Sequence, residues 1–192
     1  MNPKTPPNPE FPERIATERL DLRRLALADV DALFEAYEDP EHLRFLGSAA
    51  HRSPADTLRY IEDSIARWDA GDRKEYAMVW RETGEICGSI GAFLGNGRAS
   101  LGIVVAPRWG RHRIAHEATR ALGAVAYAVP GIFRVWAFCH ASNEVSRAVL
   151  LRCGFIEEGV IRAWARFANL GPDAQDCRFL WLPKPEDPGR HG

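Results

Sequence analysis

The chain has 192 residues, of which 46% are hydrophobic and 27% charged, with a formal net charge of −1 at pH 7. That length suits one domain with a sizeable core, and the balance excludes collagen, coiled coil and wholesale disorder. Near-neutral charge speaks against a general nucleic-acid or acidic-membrane binder, and no apolar run is long enough to span a bilayer.

Eight of the 13 prolines crowd the two ends. Residues 1–12 read as a proline-rich tail, 13–182 as a single folded domain and 183–192 as a C-terminal tail, because such ends cannot support hydrogen-bond ladders. The opening MNPKTPPNPEFPER has no apolar h-region, so no secretory signal is read and a cytoplasmic place is expected. Arginine supplies all but Lys4, Lys74 and Lys184 of the cationic side chains. With the abundant alanine, this is the signature of a GC-rich bacterial genome and names no partner.

Arg19–Arg24 alternates apolar and polar residues, as a half-buried strand does. Asp29 is placed to cap a helix carrying Val30, Leu33, Phe34 and Tyr37, which Pro40 stops. A second helix fits Pro54–Ala70, with Gly71 beyond its end. Strands are expected at Tyr76–Arg81, Ile86–Leu94 and Ser100–Val105, joined by turns at 82–85 and 95–97. A helix follows Pro107, with Ile114, Ala118, Leu122 and Val125 on one stripe. Phe133–Phe138 is a strand, Asn143 caps a helix that runs to Arg152, and Gly154 ends it. Phe155–Arg162 and Asp176–Leu182 read as the last strands. The helical crossover makes Ser100–Val105 and Phe133–Phe138 candidate parallel neighbours in a mixed sheet, giving an α/β layered fold.

Two segments carry candidate chemistry. In Leu101–Ala115 a strand runs through a short loop into a helix whose first turn exposes N–H groups and the positive end of a dipole. Such a turn binds phosphate, and Arg108, Arg111 and Arg113 suit a pyrophosphate; an ordinary strand-to-helix connection with solvated arginines is the competing reading. In the second segment Asn143 and Ser146 lie one helical turn apart, able to face one ligand, although capping alone explains the asparagine. Cys87, Cys139, Cys153 and Cys177 form no CxxC and read as buried free thiols. His112 and His116 have metal-pair spacing but no third ligand, so no metal is expected. His140 is a possible proton relay beside the cleft. A G-x-S-x-G elbow is absent, which removes a Ser-His-Asp hydrolase. Trp80, Trp136, Trp164 and Phe167 read as core or groove wall.

The stretch Thr17–Leu182 resembles the GNAT superfamily of N-acetyltransferases, in its ribosomal-protein N-terminal acetyltransferase (RimJ/RimL-like) branch. The resemblance rests on Thr17-Glu18-Arg19-Leu20-Asp21-Leu22-Arg23, Asp39-Pro40-Glu41, Thr83-Gly84-Glu85-Ile86-Cys87-Gly88-Ser89-Ile90-Gly91, Glu117-Ala118, Asn143-x-x-Ser146, Gly154-Phe155 and Glu158-Gly159, in order over the chain. It implies a mixed, mostly antiparallel sheet with splayed parallel central strands and about four helices. It implies acetyl-CoA as co-substrate, with pantetheine along the backbone of Ile103, Val104 and Val105. Pyrophosphate would lie on the N–H groups of Gly110, Arg111, His112, Arg113, Ile114 and Ala115. Asn143 would reach the pantetheine, and Ser146 would be the catalytic acid at the thiol. The partner would be an amine acceptor, a protein N-terminus or a small molecule. Homodimers are common among relatives.

The chain departs from that pattern twice. Where the family's loop has Arg/Gln-x-x-Gly-x-Gly/Ala, Gly110 stands at the Arg/Gln place, Arg113 at the glycine and Ala115 at the last position. Ser100 and Ala165 stand where relatives carry glutamates. Without a strong base, an α-amine is the easier acceptor: deprotonation at pH 7 costs about 1.4 kcal/mol for it and about 4.6 kcal/mol for lysine. The expectation is therefore transfer to a low-pKa primary amine by direct attack. The alternative is a catalytically weak acyl-CoA-binding or regulatory module.

Overall fold

A computed structural model describes residues 10–110 and 112–184. Local signals set most elements. Alternation in β2 (Leu20–Arg24) buries Leu20 and Leu22 completely. Ahead of it the chain adds β1 (Arg14–Ala16), three residues too short to show a period. Helix α1 (Val30–Tyr37) buries Leu33, Ala36 and Tyr37. Asp29 does not cap it by a side-chain bond. Its carboxylate is instead taken by Arg23, at 2.7 and 2.8 Å, and by the Ala26 N–H. Helix α2 (Pro54–Ala70) keeps the limits expected from Ser53, Pro54 and Gly71.

Strands β3 (Arg73–Trp80), β4 (Ile86–Gly95) and β5 (Arg98–Val105) form an antiparallel meander. After Pro107 the chain makes a 3-10 turn, Pro107–Trp109, and α3 starts at Ile114, running to Ala128. Then come β6 (Arg134–His140), α4 (Glu144–Arg152), β7 (Ile156–Arg166) and β8 (Ala174–Leu182). The eight strands lie in the order β1-β2-β3-β4-β5-β6-β8-β7, and only β5 and β6 run parallel. This is a mixed, mostly antiparallel sheet with four α-helices among the described residues.

Helices α1 and α2 cover one face of β3 and β4, where Tyr37 and Tyr60 meet Ser89 and Glu75. Helix α3 covers the other, with Gly123 against Leu101 and Leu182. The core runs through both layers, with Leu20, Leu33, Ile61, Met78, Ile90, Leu122, Val135 and Leu180 essentially dry. Phe11 also joins it, and the Tyr76 hydroxyl donates to the Pro12 carbonyl at 2.8 Å. Packing therefore begins before residue 13, because an aromatic ring within the proline-rich stretch has a place to bury. Residues 1–9 and 185–192 of the expected tails lie outside the described residues.

Candidate active site

Pairing of β5 with β6 is confined to Arg98↔Arg134, Ala99↔Val135 and Ser100↔Trp136. Beyond that rung the two strands part, and a fork opens toward their C-terminal ends. A bulge in β4 sits beside it: Met78 pairs with Gly88 but Val79 with Ile86. Gly88 has φ +137°, and a Cβ there would sit 2.1 Å from the Val104 carbonyl oxygen, so only glycine lets β4 approach β5 so closely.

Backbone direction along β5 decides what faces the fork. Ala106 N–H donates to Cys87 O, so even-numbered residues there turn their polar groups to β4. Ile103 and Val105 turn theirs into the fork, while Val104 is committed to Ser89. His42, from the α1–α2 loop, donates through Nε2 to Val105 O at 2.8 Å.

At the mouth of the fork lies the start of α3. Gly110 N–H bonds Pro107 O and His112 N–H bonds Trp109 O, so both are spent within the turn. The first-turn N–H groups of Ile114 and Ala115 have no intrahelical acceptor and find none elsewhere among the described residues. Arg113 precedes the helix with φ +58° and ψ +22°, a left-handed conformation, and is exposed. This is the position where the resemblance puts glycine, and the backbone keeps the glycine geometry with an arginine in it. Arg111 lies outside the described residues. At the foot of the loop Trp109 packs on Trp80 and His112, with ring centroids 5.3 and 5.1 Å away. Its Nε1 is the only buried side-chain polar atom without a partner among the described residues.

Behind β6, Asn143 caps α4: its Oδ1 accepts from Ser146 N–H at 3.0 Å. One turn into the helix comes Ser146. On the α4 side of β6, burial pushes the Cys139 thiol up to about 11, so it stays protonated near neutrality. Helix α4 is tied to the sheet by Glu157, which accepts from Arg147 Nε at 2.6 Å and Arg178 Nη1 at 2.9 Å. Those bonds, Arg147 first, hold the Glu157 carboxyl below its usual range. The sequence offered no signal for this triad, since its members come from three elements.

In front of β6 two loops meet. Asn169 of the β7–β8 loop donates to Leu43 O and Ser48 O, and accepts from Ala50 N–H, at 2.9–3.1 Å. Phe45 stacks on His140 at 4.6 Å, and Phe167 meets the same imidazole edge-on at 5.2 Å. His140 Nδ1 accepts from Ser142 N–H, which ties up that nitrogen. A cavity of about 420 Å³ opens here, lined by Arg44, Phe45, His140, Ser142, Leu170 and Gln175.

A second feature not read from sequence is the buried network under α1 and α2. Glu75, 4% exposed, accepts from Tyr60 and Ser89 at 2.8 and 2.7 Å and from Arg73 at 2.9 Å. Gly91 makes the space, since a Cβ there would lie 2.3 Å from the carboxylate. Burial, then the Glu75 charge, pushes the Tyr37 and Tyr60 phenols far up. Every member has a partner, so the network braces the layer. Ser100 occupies the last rung of the fork and Ala165 follows a bulge in β7; neither place holds a carboxylate. His112 and His116 stand with no third ligand: no group of three or more metal-type side chains occurs among the described residues. All four cysteines are free and buried. No helix among the described residues is long and apolar enough to cross a membrane.

A forked β5–β6 pair, a helix start at its mouth and a capped helix behind it define an acyl-transfer fold. The chain belongs to the GNAT acetyltransferases: the Acetyltransferase (GNAT) domain family matches residues 19–156. It is 27% identical over 153 residues to the uncharacterized N-acetyltransferase YoaA of Bacillus subtilis (strain 168), covering 78% of this chain and 86% of that one. The same fold is seen in RimL, a ribosomal L7/L12 alpha-N-protein acetyltransferase solved with coenzyme A. There the TM-score is 0.77 at 20% identity, with 88% of this chain and 97% of that one covered. The microcin C7 self-immunity acetyltransferase MccE, solved with acetyl-CoA and AMP, gives 0.76 at 19% identity over 86% and 92%.

Proposed function

We propose that this chain moves the acetyl group of acetyl-CoA to a low-pKa primary amine, a protein N-terminus or a small molecule, in the manner of the RimJ/RimL-like branch, in the cytoplasm, alone or as a homodimer. One observation carries the reading: the polar backbone groups of Ile103 and Val105 face an open fork that ends at the α3 N-terminus. Pantetheine amides pair with that edge as a missing strand would. The first-turn N–H groups of Ile114 and Ala115, with the Arg113 charge, receive the pyrophosphate. Gly110 and His112 shape the turn rather than donate, their N–H groups being spent. RimL and MccE were solved with such carriers, which supports this placement.

The neutral amine attacks the thioester carbon, and the C–S bond breaks. Ser146 gives its proton to the departing sulfur and recovers one from water. Asn143, held by its cap bond, offers Nδ2 to the pantetheine. With no carboxylate at the places of Ser100 and Ala165, water takes the amine proton, which favours an α-amine over lysine. Calorimetry with CoA and a thiol-release assay on matched α-amino and lysine ε-amino peptides test the reading. Heat with CoA and faster α-amine transfer are expected; an absence of CoA binding, or faster lysine transfer, refutes it.

A second reading, an acyl-CoA-binding or regulatory module, draws on Arg113 at the glycine place and the missing glutamates. Tight CoA binding without turnover on any amine selects it.

A further inference from the structure

We propose that the cavity in front of His140 takes the side chain of the acceptor and selects an aromatic one: the acceptor class is a primary amine, such as a peptide N-terminus, whose first side chain is an aromatic ring with no second positive charge. This rests on the acetyl-transfer reading and adds the acceptor's chemistry to it.

Position comes first. Cys139 is buried on the side of β6 that α4 packs against, and Ser146 in the first turn of α4 belongs to that side, where the proposed reaction puts the sulfur. Successive residues of a strand face opposite ways, so His140, the next residue, looks out of the other face, toward the loops. Its register partner there is Cys177 of β8. The cavity is therefore one residue along β6 from the reacting gap and on its far side. That separation suits the distance between an α-amine and the ring of the same residue.

Chemistry comes second. The walls are a stacked Phe45–His140 pair, Leu170 and the stem of Arg44, with Ser142 and Gln175 as the polar lining. No carboxylate lines the cavity, and Arg44, its one charged wall, is already paired with Glu41 at 2.8 Å, so a lysine-like or polyamine side chain finds nothing there to pair its second ammonium. The Arg44 guanidinium lies over the Phe45 ring at 4.6 Å, so a flat guest ring packs against the side of that Arg44–Phe45–His140 pile and against Leu170. The volume of about 420 Å³ is ample for one aromatic side chain. The walls are also preset, because Asn169 stitches both loops together through three backbone bonds.

A third observation is independent of the cavity. The sheet face beside it is aromatic and bare. Trp136, Phe138, Phe179 and Trp164 contact one another in series at 4.9–6.4 Å. Phe138 is 36% exposed, Trp164 48% and Leu170 43%. Large apolar side chains left together in water mark a docking surface. This one is continuous with the fork through Phe138 and His140, so its occupant is the molecule that must reach the fork.

The test uses three tripeptides that share a glycylglycine tail and begin with phenylalanine, glycine or lysine, so that the α-amine is matched and only the first side chain differs. Binding is measured by calorimetry with CoA in excess, and transfer by thiol release. The phenylalanine peptide should bind at least about tenfold tighter than the glycine peptide. Leu170→Glu, an exposed site, should weaken the phenylalanine peptide and raise the lysine peptide, a reversal that misfolding cannot produce. Equal affinity for all three, or no heat from the phenylalanine peptide, overturns the inference. Binding in the expected order without acetylation keeps the cavity assignment and overturns the transfer reading instead. Light scattering that shows a dimer split by Leu170→Glu, together with no peptide binding, gives the face to a second copy and also overturns it.

Discussion

Arg113 holds a left-handed backbone with a full side chain, and it does so as an exposed residue. A β-carbon in that region costs about 1 kcal/mol. Arg113→Gly is therefore expected to raise stability by about 1 kcal/mol in urea titration, while CoA binding weakens and loses part of its salt dependence through the lost charge. Unchanged CoA affinity would take this side chain out of the phosphate site. Asn143 and Ser146 separate in the opposite sense. Asn143→Ala removes a cap and should cost about 1 kcal/mol along with CoA affinity. Ser146→Ala should leave stability and CoA affinity alone and lower kcat about 10²-fold or more. The asparagine–serine spacing is legible as a helical cap because both residues sit in one turn. The Phe45–His140 stack is not, because its partners are far apart in the chain and only the closed fold joins them.

At the scale of elements, two carboxylates each pin a helix to the sheet. Glu157 anchors α4 through Arg147 and Arg178. Glu117 anchors α3 through the Thr17 hydroxyl and the Arg19 N–H and guanidinium. Burial works to raise Glu117, but those hydrogen bonds outweigh it, and both carboxyls sit below their ordinary 4.5. A group held low contributes stability that is complete above its unfolded value and is lost as the pH falls through its folded one. Stability from these anchors should thus be full down to about pH 5 and fade below pH 4.5. Glu157→Gln should cost about 1–2 kcal/mol at pH 7 and progressively less as the pH falls below 4.5, read by urea midpoints across pH. His51, lowered by burial, adds to the same acid side. Helix α2 was readable to the residue, since serine, proline and glycine mark its ends locally. Strand β7 runs four residues past the expected end at Arg162. Ala163, at φ +48°, bulges the strand and breaks the period that a reader counts.

For the whole molecule, the order of strands and helices after the short β1 was readable from turns and periodicity. Where packing starts was not. Phe11 lies in a proline-rich stretch that composition marks as tail, yet it is 7% exposed and belongs to the core. Phe11→Ala should cost about 3 kcal/mol, and a chain begun at residue 13 should melt below one begun at residue 10. Equal urea midpoints would show that the ring contributes nothing.

Only three rungs weld the two halves of the sheet across the fork. Such a joint behaves like a clothes peg, firm at the spring and loose at the jaws. A guest gripped along β5 would act as a strut, and amide exchange should slow on both blades at once, including β7 at the outer rim, which the guest never touches.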